Sequence, residues 1–340
     1  CVIFFCQPDP TRASVLNRFF HMLFLFIKML PLVLLTLAGY ALYKLKLIDA
    51  TFTRQLSLTM LNIFYPCLIV SSILKNFTWT SLLQNWMMPM GTVFILITGW
   101  LTGLATLPLL KRETESTRRC YHFTCMMNNY SFLPILMAAA LWGEKAVALV
   151  IFSGLGAELC VWTLGVKALT GQKLDRGVLK NLASAPMGAL VFSLIVLAMR
   201  PVCERNGLTP AAASFSSELL KTLLETCRMA GAATIPASAL ICGARMAMLH
   251  PGKLFSPLMA GTCTLRLVGI PALCILVLSL VPLPVEVRRV LILISVQPAA
   301  MAGVTLAEAY GSDADFSAAA ILVSHLLCLV TIPLWLGCVL

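Results

Sequence analysis

The sequence predicts an all-α membrane protein of about ten transmembrane helices, and three observations carry that reading. Hydrophobic residues make up 59% of the chain, charged residues only 11%, and the mean hydropathy is +0.91. A soluble domain carries about 25% charged residues because water must solvate its surface, whereas lipid needs none. The apolar runs are also long. Met22 to Tyr43, Leu82 to Leu110 and Val178 to Met199 approach or pass the ~20 residues that cross a hydrocarbon core. Finally, the net charge of +11 resides largely in short gaps between such runs. That is the pattern of membrane topology, so the lipid bilayer is an expected partner and nucleic acid is not.

Taken in order, apolar length and polar punctuation place spans near 20–44, 54–75, 83–110, 117–142, 145–168, 179–202, 217–247, 254–281, 285–310 and 314–340. Each must be a helix, because a span in lipid has to satisfy its own backbone hydrogen bonds. Residues 1–17 form a poorly defined extension, since CVIFFC is too short for a signal-peptide core and lacks a basic flank. The remainder divides into five spans over 18–168 and five over 169–340. An odd number of spans per half inverts the second half relative to the first. Odd-numbered loops hold thirteen Lys and Arg residues against six in the even-numbered ones, which predicts a multi-pass cell-membrane protein with both termini outside the cytoplasm. Most of the thirteen cysteines lie in apolar runs, as small hydrophobes do. Cys120, His122 and Cys125 form at most half a metal site, so no metal or cofactor is expected.

Chemistry concentrates at two interruptions. Asn128, Asn129, Tyr130 and Ser131 precede Pro134 in the fourth span, and Gln297 precedes Pro298 in the ninth. Polar residues at such depth have to face protein or a wet cavity. A proline removes a donor and breaks the helix, exposing N–H groups whose partial positive charge suits a carboxylate. Recurrence of this pattern in corresponding spans of the two halves favours a binding site over an ordinary kink. The expected substrate contacts are Asn128, Asn129, Pro134, Gln297 and Pro298. Glu158 and His325 lie at nearly equivalent places in the two halves and are candidates for proton or ion coupling. Arg266, in the eighth span, reads as a side chain that snorkels to an interface.

Leu37-Ala-Gly39-Tyr40, Asn62 to Pro66, Asn129 to Pro134, Gln297-Pro298, Ala307 to Gly311 and Thr331 to Trp335 together resemble the auxin efflux carrier family, which includes malate and malonate permeases. The resemblance covers about residues 29–340 and implies two inverted five-helix repeats, with spans 4 and 9 broken and crossing near the midplane. It implies an elevator-type motion and a carboxylate-bearing substrate, and a homodimer in some relatives. Asn129 and Pro298 match family positions; Leu136 stands where a proline is common, and Met301 to Gly303 replace a usual Asn.

The expected function is therefore a non-enzymatic secondary permease for small organic anions, such as dicarboxylates or auxin-like weak acids. Two alternatives stay open. One is a carrier of the bile-acid/sodium symporter type, which needs a cation site; the other is a membrane-embedded enzyme using Glu158 and His325 as acid and base.

Overall fold

Proline and glycine decide where the helices of this chain bend, break and touch. The computed structural model describes residues 27, 30–31, 33–171, 185–205, 214–248 and 256–339. The expected extension over 1–17, the start of the first span and the junction between the halves near 172–184 lie outside the described residues. Among those described, every named element is helical, with one isolated backbone bridge. The helices are α1 (Val33–Lys44), α2 (Ala50–Asn76), α3 (Trp79–Leu110), α4 (Glu115–Met126), α5 (Phe132–Trp142), α6 (Glu144–Thr170) and α7 (Ala185–Arg205). They continue as α8 (Lys221–Met248), α9 (Pro257–Leu280), α10 (Val285–Ser295), α11 (Gly303–Ala309) and α12 (Ala314–Val339). Six of them, α2, α3, α6, α8, α9 and α12, are long and apolar enough to cross a membrane. The fourth and ninth expected spans, 117–142 and 285–310, are each interrupted and form the helix pairs α4–α5 and α10–α11.

Local sequence sets the starts. Asp49, Thr114 and Ser256 each accept a backbone N–H of the following first turn, and Thr78 forms a capping box with Ser81. Inside α9, Pro271 cannot donate to the carbonyl of Leu267 four residues earlier. A π-turn over Leu265–Gly269 absorbs the mismatch, and Trp335 of α12 donates its indole N–H to that carbonyl at 2.8 Å. One proline thus ties the eighth and tenth expected spans together.

In lipid, helices associate through close packing of small residues rather than through hydrophobic burial. Gly156 of α6 lies against the Pro89 carbonyl of α3. Gly39 of α1 lies against the Leu240 carbonyl of α8, and Gly243 of α8 against the Thr36 carbonyl of α1. A Cβ at Gly243 would run into the α1 backbone at both Thr36 and Tyr40. Gly243→Val is therefore expected to destabilise the protein by about 3 kcal/mol through overpacking. Thermal unfolding of the purified protein in detergent reads this out; an unchanged Tm would show that α1 can simply move away.

Candidate functional site

The two interruptions meet. Residues 127–131 separate α4 from α5, residues 296–302 separate α10 from α11, and the two extended segments run antiparallel with Asn128 opposite Ala299. The Asn129 N–H donates to the Pro298 carbonyl at 2.8 Å, and the Ala300 N–H donates to the Met127 carbonyl at 3.1 Å. Backbone polar groups buried in a bundle need partners, and each broken helix supplies them to the other. Asn128 and Gln297 are both fully buried here, and Asn129 nearly so.

Pro298 leaves the Ile294 carbonyl without its helical donor, and Asn128 Nδ2 takes that place from the other segment. Gln297 Nε2 turns back to the Leu293 carbonyl at 2.8 Å. These bonds fix the amide orientations. As a result Asn128 Oδ1 and Gln297 Oε1 are left buried, with no donor among the described residues. Two carbonyl oxygens in that state are costly unless something else satisfies them. Pro134 sits within α5, whose first turn receives the side chain of Asn129: Oδ1 accepts the Leu133 N–H at 3.5 Å.

Glu158 and His325 attach to neighbouring residues of the first interruption. Asn129 Nδ2 lies 3.3 Å from His325 Nε2, while His325 Nδ1 is 2.8 Å from the Ile321 carbonyl. Tyr130 donates its hydroxyl to Glu158 at 2.9 Å, and Trp162 donates to the other carboxylate oxygen at 3.0 Å. The hydrogen bonds of Glu158 and His325 thus lead to different partners rather than to each other. Ser324, beside His325, accepts the Ala299 N–H at 3.2 Å, so α12 touches both interruptions.

Arg266 corrects the sequence reading. It does not snorkel but is fully buried. Its Nη1 donates to the Cys125 carbonyl at 2.9 Å, its Nη2 to the Ser295 carbonyl at 3.0 Å and its Nε to the Gln297 carbonyl at 3.2 Å. Cys125 and Ser295 close α4 and α10. Both helix C-termini carry orphan carbonyls and partial negative charge, and a single planar cation answers both. No sequence signal announces this, because the partners are neutral carbonyls 31 and 141 residues away.

Such an arrangement defines a class: a helical, multi-pass membrane protein whose broken helices pair through their backbones around buried amides. The chain belongs to the membrane transport protein family, which includes auxin efflux carrier-like proteins; the family model matches residues 24–180 and 176–336. No match is found among curated proteins.

Proposed function

We propose that the chain is a secondary carrier that moves small organic anions by alternating access. In this reading ten spans form two inverted five-helix repeats, and the fourth and ninth cross where the segments at Asn128 and Ala299 pair. The observation that supports it most is that antiparallel pairing, which gathers Asn128, Asn129, Gln297 and the start of α5 at one place. Helix N-termini offer backbone N–H groups to a carboxylate, and neutral amides can hold an anion without trapping it. Glu158 and His325, bonded to Tyr130 and Asn129, would carry the coupled proton. The carrier is proposed to sit in the cell membrane with both termini outside the cytoplasm, to be no enzyme, and to work alone or as a homodimer.

A second reading rests on a specific feature. Asn128 Oδ1 and Gln297 Oε1 are acceptors, not donors, and suit a sodium ion better than a carboxylate. The substrate anion would then travel with the cation. Reconstituted vesicles decide between the readings. Uptake of a dicarboxylate or aromatic weak acid that is unchanged when choline replaces sodium, but falls when the pH gradient is collapsed, supports proton coupling. Loss of uptake in choline supports the sodium reading, and no uptake of any member of the panel rejects the anion assignment.

A further inference from the structure

One charged cavity plays no part in that mechanism. Trp100 of α3, Arg118, Arg119 and His122 of α4, and Lys167 of α6 surround a space of about 360 Å³. Three of these side chains are cations, and Glu115 is the one carboxylate in the described lining. Both arginines share it, Arg118 Nη1 at 3.3 Å and Arg119 Nε at 3.2 Å. Lys167 instead lies 5.9 Å from the centroid of the Trp100 ring and pairs with no carboxylate among the described residues. Arg119 rests on Gly171, whose left-handed backbone (φ 67°) and missing Cβ let the guanidinium lie flat against the chain. Two further donors, Trp100 Nε1 and Arg118 Nε, are buried and meet no acceptor among the described residues. The cluster offers donors and positive charge in excess, which is what a phosphate requires.

The outer face of α3 adds a second property. Met90, Ile97, Leu101 and Leu104 are exposed at 55%, 37%, 53% and 43%. Their spacing puts them on one side of the helix, as a continuous apolar stripe. The stripe runs into the cavity, because Leu104 and Leu107 form part of its wall. A soluble anion would have no use for such a stripe, whereas an acyl chain would lie along it.

We propose that the cavity holds the headgroup phosphate of an anionic phospholipid, with an acyl chain on the Met90–Leu104 stripe. The site is independent of the crossing segments and of what they carry. The test is native mass spectrometry of the full chain in detergent with phosphatidylglycerol, phosphatidylcholine or inorganic phosphate. Phosphatidylglycerol is expected to be retained and phosphatidylcholine to be lost. Combining Arg119→Gln with Lys167→Gln should weaken phosphatidylglycerol retention about thirtyfold, about fivefold for each cation removed near a headgroup. Lys145→Gln, which removes a cation paired with Glu286 at 2.8 Å beside a different cavity, should leave retention unchanged. If the double variant does not fold, Lys167→Gln alone, an exposed change, is expected to show the fivefold loss. Equal retention of the two lipids, or no loss in the variants, overturns the proposal. So does displacement of the lipid by inorganic phosphate, which would assign the cavity to a soluble anion.

Discussion

Arg266→Met is expected to lower the stability of the purified protein by about 3 kcal/mol, the balance left when three buried carbonyls lose their donor and one ion no longer has to be held out of water. Two effects oppose each other. Methionine relieves the cost of keeping a guanidinium out of water, which amounts to several kcal/mol for a buried ion. Against that, it strands the carbonyls of Cys125, Ser295 and Gln297, each worth about 1–3 kcal/mol when left without a donor. It also removes the positive charge from the C-termini of α4 and α10, an interaction worth up to about 2 kcal/mol where partly buried. The second set wins because the three carbonyls cannot turn to water at 0% exposure of the residue that covers them. Arg266→Lys should fall between, since one ammonium cannot span two helix ends as a planar fork does. Thermal unfolding in detergent reads both variants, and uptake in vesicles should be lost together with the pairing at Asn128 and Ala299. A Met variant as stable as the parent would mean that the two helix ends hold together without the cation.

The contrast between Arg266 and Pro298 shows how far the sequence could be read. A proline acts on the backbone around it, so Pro298 marks an interruption at its own position and Pro134, in the first turn of α5, marks one that ends just before it. Asn128, Asn129 and Gln297 stand beside them as polar residues in apolar runs, and their depth follows from composition alone. The spans too are local properties, which is why the stretches expected at 54–75, 83–110 and 314–340 each correspond to one long helix. Partners are a different matter. Nothing in an apolar run tells Asn128 that the carbonyl released by Pro298 is Ile294, or Trp335 that Pro271 has released Leu267. The same holds for Arg266: a lone cation without an acidic neighbour in sequence looks like a snorkelling side chain, because helix carbonyls carry no signature. Hydrogen bonds between side chain and backbone across 29 to 166 residues are set by topology, which the pattern of residue types does not encode.

Asn129→Ala and Gln297→Ala are each expected to cut uptake on the order of a hundredfold, the scale on which a binding geometry displaced by about an ångström loses its rate. The structural cost should be far smaller. Losing Asn129 removes the acceptor for the Leu133 N–H and the contact with His325, a change of about 1 kcal/mol by comparison with other helix caps. Losing Gln297 strands the Leu293 carbonyl but also removes a buried oxygen that has no donor among the described residues, so the two changes partly cancel. Tm in detergent should therefore shift by a few degrees while transport collapses. Near wild-type uptake by both variants would place the transport path away from the interruptions. Gln297→Glu then separates the two functional readings through the sign of its effect. A carboxylate at this buried position repels an anion, and under the first reading uptake should fall at least as far as it does for alanine. If the oxygens of Asn128 and Gln297 hold sodium, the same carboxylate strengthens the cation site, and uptake should persist at lower sodium concentration.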